Sequence, residues 1–126
     1  MTDRELINMA FAASERAYAP YSGFHVGAAL ECVDGTVFTG CNVENIALGD
    51  SICAERVAVG KAISERRRSF KRIAIAAESD EYCKPCGSCR QVLKEFSDDM
   101  EILCAKAGGN YVSYRLSDLL PEAFTH

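Results

Sequence analysis

The pattern of apolar and polar positions at the start of the chain predicts a helix over residues 2–18. Thr2 and Glu5 have the spacing of a capping box, which is typical of a helix start, and Pro20 follows the predicted end. The apolar side chains that recur at helical spacing along one face are Leu6, Ala10, Ala13 and Ala17.

Shorter apolar runs in the rest of the chain predict strands and further helices. Two strands are predicted over 25–33 and 36–41 around Asp34-Gly35, a pair typical of a tight hairpin turn. After a polar loop over 42–51, the pattern predicts a helix over 52–67, a strand over 72–78, a helix over 87–97, strands over 101–106 and 111–115, and a short helix over 117–120. This order predicts an α/β fold in which helices pack on a sheet.

Composition narrows the class of protein further. The chain has 126 residues, of which 48% are apolar and 25% charged. These values predict one folded domain over 1–126 and exclude a disordered or collagen-like chain. No apolar run approaches the ~18 residues of a membrane span, and the N-terminus lacks a signal-peptide pattern. We therefore expect a cytoplasmic protein with no membrane partner, and the net charge of −4 argues against a nucleic-acid partner.

Seven cysteines are a high number for a chain of this length. An odd number cannot all pair in disulfides, and without a secretion signal reduced thiols are favoured. Reduced cysteines at short spacing indicate a metal site. The cysteines in predicted strands, which we expect to be small core residues, are Cys32, Cys41 and Cys104.

Two short segments carry the cysteines with the spacing of metal ligands. They are Cys53-Ala54-Glu55-Arg56 and Pro85-Cys86-Gly87-Ser88-Cys89-Arg90, and each lies where a loop becomes a helix. A helix N-terminus favours the thiolate form of a cysteine. Cys86 and Cys89 are three residues apart and can face the same side of one turn, while Cys53 supplies a third sulfur. Three protein ligands with an open fourth position are typical of catalytic zinc.

Glu55 is an acidic residue in an otherwise apolar part of its predicted helix. A carboxylate beside a zinc-bound water can act as a proton shuttle. The pattern C-x-E…P-C-x-x-C is the all-cysteine form of the known zinc-deaminase signature. Three thiolates leave a zinc centre at −1, so we expect Arg56, and also Arg90, to draw negative charge from the sulfurs.

Several further segments extend this similarity, and on them the chain resembles the small, single-domain cytidine deaminases along almost its whole length. The zinc motif is shared by a wider superfamily, whereas its combination with Asn42-Val43-Glu44-Asn45 is specific to nucleoside deaminases. The matching segments are Ala19-Pro20-Tyr21-Ser22 with Phe24, Val26-Gly27-Ala28-Ala29, Gly40-Cys41-Asn42-Val43-Glu44-Asn45, Ile52-Cys53-Ala54-Glu55-Arg56, Pro85-Cys86-Gly87-Ser88-Cys89-Arg90-Gln91-Val92-Leu93, Leu119-Leu120-Pro121 and Ala123-Phe124.

The resemblance implies a fold and a reaction. The fold is a three-layer α-β-α arrangement in which a central mixed five-stranded sheet has helices on both faces. The reaction is the zinc-dependent hydrolytic deamination of cytidine and 2′-deoxycytidine to uridine and 2′-deoxyuridine with release of ammonia, a step of pyrimidine salvage. Cys53, Cys86 and Cys89 are the expected ligands of one Zn²⁺ per subunit, and Glu55 is the expected general acid/base.

The resemblance also implies a substrate site for a small nucleoside. Asn42 and Glu44 are expected to hydrogen-bond the 3′-hydroxyl of the ribose, and Phe24 to form an aromatic wall against the pyrimidine. Ala54 is a further expected substrate contact. The family is usually a homotetramer with active sites at subunit interfaces, and Phe124 resembles a C-terminal aromatic that reaches the base in a neighbouring subunit's site.

One departure from the family pattern follows Asn45. Many members have an aromatic residue at the position of Leu48, where it reaches a neighbouring subunit's substrate near the sugar. Leu48 cannot supply a hydroxyl group, and Asp50 adds an acid close to the zinc helix. The resemblance therefore implies the reaction type more strongly than it implies recognition around the 5′ end of the sugar or the exact substrate.

Other functions are compatible with parts of the sequence. A relative acting on a modified cytosine nucleoside, such as a blasticidin-S-type deaminase, would share the zinc motif, but Asn42 and Glu44 favour an ordinary nucleoside. A nucleic-acid editor would need a basic surface, and the cluster Arg66-Arg67-Arg68 at a helix C-terminus is typical of a solvated face. A purely structural zinc site has no use for Glu55. Cys83 extends the spacing towards an iron–sulfur run, but no fourth cysteine with a following proline is present, and we expect Cys83 to be a loop bystander.

Overall fold

The computed structural model of the chain describes residues 1–125. Every predicted helix and strand is present, although the ends of some differ. In chain order the elements are α1 (Asp3–Ser14), β1 (Val26–Cys32), β2 (Val37–Cys41), a 3₁₀ turn (Leu48–Asp50), α2 (Ala54–Ser64), β3 (Phe70–Ala77), α3 (Gly87–Glu95), β4 (Glu101–Ala105), β5 (Tyr111–Arg115) and α4 (Leu116–Leu119). No helix within the described residues is long and apolar enough to cross a membrane.

The first helix begins as the sequence predicts and ends earlier. The Thr2 side chain accepts from the backbone N–H of Glu5, and the Glu5 side chain accepts from the N–H of Thr2, so the capping box is confirmed. The helix ends at Ser14 because the chain then turns to pair with a distant segment. Tyr18 forms an isolated β-bridge with Val43. This pairing across the chain overrides the local helical pattern.

The five strands form one mixed sheet in the order β2-β1-β3-β4-β5. β1 pairs antiparallel with both β2 and β3, and β4 pairs antiparallel with β5. The central pair β3 and β4 is parallel, and α3 lies in the connection between them. A parallel pair needs such a crossover because its strands start at the same edge of the sheet.

Helices cover both faces of this sheet, which confirms the three-layer arrangement. On one face α1 packs through Leu6, Ile7 and Ala10 against small side chains of the strands. On the other face α2 and α3 pack against larger ones; the fully buried residues of this second core include Leu30, Ala54, Ala58, Ala62, Ile73, Ile75, Leu93 and Ile102. Successive strand residues point to opposite faces, so each strand contributes to both cores.

Two glycines let the helices approach the sheet closely. A Cβ at Gly27 in β1 would lie 1.8 Å from the carbonyl oxygen of Ala10 in α1. A Cβ at Gly40 in β2 would lie 2.4 Å from the carbonyl oxygen of Ala54 in α2. Both distances are shorter than non-bonded atoms allow, so any larger residue would push the helix away from the sheet.

Asp99 forms hydrogen bonds with residues at the start of α4. Its ionisation leads to a prediction of how the stability of the fold responds to acid. Its carboxylate accepts hydrogen bonds from the Ser117 backbone N–H at 3.0 Å and from Arg115 Nε at 2.8 Å. These contacts lower the pKa of Asp99 from its ordinary value of 3.8. A lowered pKa in the folded state stabilises the protein at neutral pH, and this stabilisation is lost as the pH falls through the lowered value.

We therefore expect Asp99→Asn to unfold at a lower urea concentration than the parent protein at pH 7. The difference should shrink as the pH falls below about 4, where the Asp99 carboxylate becomes protonated first in the unfolded chain and, at still lower pH, in the folded protein. Asp98→Asn is the control, because it removes the same charge from the neighbouring position without touching these hydrogen bonds. An equal difference between Asp99→Asn and the parent at pH 7 and pH 3 would contradict the prediction.

Candidate active site

One cavity of about 550 Å³ opens beside the start of α2, and most of the predicted site residues line it. The predicted residues that line it are Phe24, Asn42, Glu44, Cys53, Ala54, Glu55 and Cys86. Cys89 is fully buried and reaches the same place through its contact with Cys86. The fold therefore brings together residues from positions 24 to 89 of the chain.

The three sulfurs come from the N-termini of two helices. Cys53 is the N-cap residue of α2 and Cys86 is the N-cap residue of α3. The Sγ atoms of Cys53 and Cys86 are 3.9 Å apart, and those of Cys86 and Cys89 are 3.3 Å apart. All three lie within 4.8 Å of one another.

This group of sulfurs fits a zinc ion. Ligands at the Zn–S distance of ~2.3 Å in a tetrahedron have sulfurs ~3.8 Å apart, close to the separations found here. Three protein ligands would leave one coordination position of a zinc ion for water or substrate, as in catalytic rather than structural sites.

The surroundings of the thiols favour a negative charge on Cys53. A hydrogen bond from the Cys89 thiol, with help from Arg56, lowers the pKa of Cys53 to about 5. The Cys89 thiol is the donor in this bond and is buried, and both effects raise its own pKa. A low-pKa thiol at a helix N-terminus is a good metal ligand because the thiolate is the form that binds.

The two arginines near the site have different roles. Nη2 of Arg56 lies 3.6 Å from Sγ of Cys53, as expected for a residue that draws charge from the sulfur. Nε of Arg56 is buried and has no hydrogen-bond partner within residues 1–125. The expectation for Arg90 is wrong, because its guanidinium donates to the backbone carbonyls of Pro85 at 2.8 Å and Leu119 at 2.7 Å. Arg90 joins the loop before Cys86 to the end of α4.

Glu55 is a buried carboxyl group that nevertheless lines the cavity. Only 4% of its surface is exposed, and it lies in the first turn of α2. Burial raises the pKa of Glu55 to about 7, although a hydrogen bond from its own backbone N–H opposes the shift. A carboxyl group with such a pKa can both accept and donate a proton near neutral pH.

Asn42 and Glu44 follow the end of β2, and their side chains form hydrogen bonds with the segment that contains Phe24. The Asn42 side chain accepts from the Val26 N–H at 2.9 Å and donates to the Phe24 carbonyl at 2.8 Å. Oε1 of Glu44 accepts from the backbone N–H groups of Tyr21 and Ser22. These contacts hold both side chains in fixed orientations at the cavity.

Two side chains that the sequence analysis placed near the substrate, Leu48 and Phe124, are largely exposed in the single chain. Leu48 lines the cavity but is 74% exposed. Phe124 is 73% exposed and is not among the residues that line this cavity. Its backbone carbonyl accepts a hydrogen bond from Nε2 of Gln91 in α3. Within one chain, the aromatic ring of Phe124 is therefore not part of the cavity.

Sequence analysis assigned no site role to seven residues that line the cavity: Tyr21, Ser22, Val26, Ser51, Ile52, Cys83 and Lys84. Cys83 was expected to be a bystander, yet it lies beside the site, and burial raises the pKa of its thiol to about 12. The spacing of three positions between Cys83 and Cys86 could have indicated that Cys83 lies beside the site, but it is ambiguous because it also fits part of an iron–sulfur run. Ser22 lies in one of the matching segments, and nothing in its local pattern indicates that it contacts Glu44.

Comparison with known proteins places the chain in a family. The family model described as "Cytidine and deoxycytidylate deaminase zinc-binding region" matches residues 1–105. The chain belongs to this deaminase family. Its sequence is 44% identical over 126 residues to a cytidine deaminase of Sporosarcina psychrophila, covering 99% of this chain and 93% of that protein.

Two further relatives support the same assignment to the deaminase family. A cytidine deaminase of Halalkalibacterium halodurans is 46% identical over 125 residues, which cover 98% of this chain and 95% of that protein. The crystal structure of a cytidine deaminase from Burkholderia pseudomallei superposes with a TM-score of 0.95 at 46% identity. The match covers 98% of this chain and 100% of that structure. The whole length of this deaminase chain therefore matches known members.

Proposed function

We propose that the chain catalyses the zinc-dependent hydrolytic deamination of cytidine and 2′-deoxycytidine to uridine and 2′-deoxyuridine, with release of ammonia in pyrimidine salvage. The observation that carries the proposal is the position of Glu55, buried beside three converging thiols in one cavity. A structural zinc site would not need a carboxyl group there, whereas a hydrolytic deaminase needs a proton carrier.

Cys53, Cys86 and Cys89 would hold one Zn²⁺ per subunit. When bound, zinc supplies activation of water as a nucleophile at neutral pH. The positive ends of the two helices and the guanidinium of Arg56 lie at the sulfurs. They lower the electrostatic cost of bringing negatively charged thiolates together. Their effect also limits how much negative charge the three thiolates place on the reaction centre.

Glu55 moves the protons of the reaction. It accepts a proton from the attacking water and delivers it to N3 of the pyrimidine, which makes C4 more electrophilic. After oxygen has bonded to C4, Glu55 takes the remaining proton of that oxygen and carries it to the exocyclic amine. The C4–N bond then breaks and ammonia leaves, so that one water is consumed and one ammonia is released. Burial suits this role because bulk water cannot compete for the proton.

The remaining residues of the cavity would bind and orient the nucleoside. Asn42 and Glu44 would hydrogen-bond the 3′-hydroxyl of the sugar, and both are already oriented by the backbone groups they contact. Phe24 would pack against the pyrimidine ring, and Ala54 would contact the base from the first turn of α2. Orienting groups that are held before substrate binds lower the entropic cost of binding.

We also propose a cytoplasmic homotetramer in which residues 1–126 form one catalytic domain and neighbouring subunits share active sites. The side chain of Leu48, which lines the cavity, is 74% exposed, and that of Ile46, two residues earlier in the chain, is 81% exposed. A second copy of the chain would cover them, and Phe124 would then reach a neighbour's site. Sedimentation equilibrium tests this assembly, since a monomer at micromolar concentration would contradict it.

The function itself is tested on purified protein by the loss of cytidine absorbance, with zinc quantified in the same sample. Conversion of cytidine to uridine with about one zinc per chain is the expected result. One zinc per chain without turnover of cytidine or 2′-deoxycytidine would overturn the substrate assignment. The search would then turn to modified cytosine nucleosides, because Leu48 changes the cavity near the sugar.

Arg56 provides a further test of the proposed site. We expect Arg56→Ala to keep zinc and to lower kcat by about tenfold, because Nη2 no longer draws charge from Cys53. Arg66→Ala is the control, since it removes a positive charge after the far end of α2. A turnover rate equal to that of the parent protein would remove Arg56 from the site.

A further inference from the structure

The hydroxyl group of Ser22 joins two parts of the cavity that come from different segments of the chain. Its Oγ donates to Oε2 of Glu44, and it accepts from the backbone N–H of Phe24 at 3.0 Å. Glu44 also holds the backbone around Ser22, because its Oε1 accepts from the N–H groups of Tyr21 at 3.0 Å and Ser22 at 3.1 Å.

The segment around Ser22 lies outside the helices and strands of the fold. Between Ser14 at the end of α1 and Val26 at the start of β1 its only strand pairing is the isolated bridge at Tyr18. Besides the contacts of Ser22 and Glu44, the Gly23 N–H donates to the Ala19 carbonyl at 2.9 Å and the Asn42 side chain donates to the Phe24 carbonyl at 2.8 Å. Gly23 adopts a positive φ of 69°, which places a sharp bend directly before Phe24. The position of Phe24 therefore depends on individual hydrogen bonds: its N–H donates to Ser22 Oγ, and its carbonyl accepts from Asn42.

The chemistry of a hydroxyl gives this chain of hydrogen bonds a fixed direction. A carboxylate can only accept hydrogen bonds, so the single proton of Ser22 Oγ points to Glu44. The Ser22 oxygen is then free to accept from Phe24. Oε2 of Glu44 accepts this one hydrogen bond within residues 1–125 and keeps the capacity to accept another from a substrate hydroxyl.

We propose that Ser22 is a positioning residue that sets the orientation of the Glu44 carboxylate and couples it to the placement of Phe24. Through this coupling Ser22 favours nucleosides whose sugar carries the hydroxyl that Glu44 binds. The inference rests on the proposed function, because it takes the nucleoside roles of Glu44 and Phe24 from there. Ser22 itself does not touch the reacting atoms.

The first test compares cytidine with 2′,3′-dideoxycytidine, which lacks the 2′- and 3′-hydroxyl groups and keeps the 5′-hydroxyl. In Ser22→Ala we expect the ratio of kcat/KM for cytidine to that for the dideoxy compound to fall about five- to tenfold. The loss should appear mainly in KM for cytidine, with zinc content unchanged. Ser22→Thr keeps the hydroxyl and should restore the ratio. If Ser22 only shapes the loop, Ser22→Ala should lower kcat/KM for both substrates by the same factor. That outcome would overturn the proposal.

The second test needs no turnover. Amide exchange by NMR should show faster exchange at the Phe24 N–H in Ser22→Ala and in Glu44→Gln, although Glu44 does not contact that N–H directly. Ser22→Thr should match the parent protein. Unchanged exchange at Phe24 in Glu44→Gln would overturn the coupling. If the parent protein with one zinc per chain fails to deaminate cytidine, the proposed function fails, and this measurement still decides the coupling of Ser22.

Discussion

Glu55→Gln should retain zinc and lose turnover of cytidine by about 10³-fold, since general acid–base groups contribute roughly 10² to 10⁴ to rates. Glutamine has nearly the same shape as glutamate but cannot carry a proton between water, N3 and the leaving amine. The three thiols are untouched, so metal binding is expected to persist. Steady-state kinetics and metal analysis of the same sample measure both quantities.

The stability of Glu55→Gln should not fall, which separates a catalytic defect from a folding defect. Burial disfavours the charged form of Glu55, as the raised pKa of about 7 indicates. A neutral amide avoids that cost, so the thermal unfolding midpoint at pH 8 should equal or exceed that of the parent protein. Glu65→Gln is the matched control, because it makes the same chemical change at the exposed C-cap of α2 and should leave turnover near the parental rate. Substantial activity in Glu55→Gln would contradict the proposed role of Glu55.

Gly40→Ala should lower both the stability of the fold and the zinc content, although Gly40 lies outside the site itself. The added Cβ would lie 2.4 Å from the Ala54 carbonyl oxygen and 2.6 Å from the Ala58 N–H nitrogen, both backbone atoms of α2. Backbone atoms cannot rotate away from the added methyl group as a side chain can. Either α2 shifts away from the sheet, or the steric strain remains in the folded protein. Overpacking of this kind costs about 1–3 kcal/mol or more, which would lower Tm by about 5–10 °C.

A shift of α2 would also reach the chemistry, because this helix carries Cys53 at its N-cap and Glu55 in its first turn. The other two thiols lie on α3, so any movement of α2 changes the distances between the sulfurs. Displacements of ~1 Å can cost ~10² in rate. We therefore expect Gly40→Ala to reduce zinc content and kcat in the protein that remains folded.

Two other glycines serve as controls for Gly40→Ala. A Cβ at Gly60 in α2 meets no heavy atom within 4 Å, so Gly60→Ala should stabilise the protein by about 0.5–1 kcal/mol. Gly27→Ala meets α1 on the opposite face and should lower Tm without reducing zinc in the folded fraction. Calorimetry and metal analysis distinguish the three variants. Parental Tm and zinc content in Gly40→Ala would show that α2 tolerates the added methyl group.

Secondary structure followed from the sequence wherever short-range interactions decide it. The capping box of Thr2 and Glu5 and the Asp34-Gly35 turn involve residues within four positions of each other, and both are present. The ends that differ from prediction have long-range causes. Tyr18 leaves the helical pattern to pair with Val43, and Ile52 pairs with Val43 before α2 begins.

The parts of the site that sequence reasoning could anticipate are those that depend on helix starts. Cys53 and Cys86 are N-caps, as the loop-to-helix pattern predicts, and the spacing of Cys86 and Cys89 places both sulfurs together. The contact between Cys53 and Cys86, 33 positions apart, needed the family resemblance, since no local pattern sets the distance between two helices.

The sequence by itself determined the donor types, the helix starts that carry them, and the acid at Glu55, because these depend on residue identity and on spacing within one turn. Tertiary structure alone decided that Ser22 contacts Glu44, that Arg90 braces two backbone carbonyls, and that Gly40 lets α2 approach the sheet. These contacts join residues from different elements. Their geometry is set by how the strands pair and how the helices pack on them, which no window of neighbouring residues encodes.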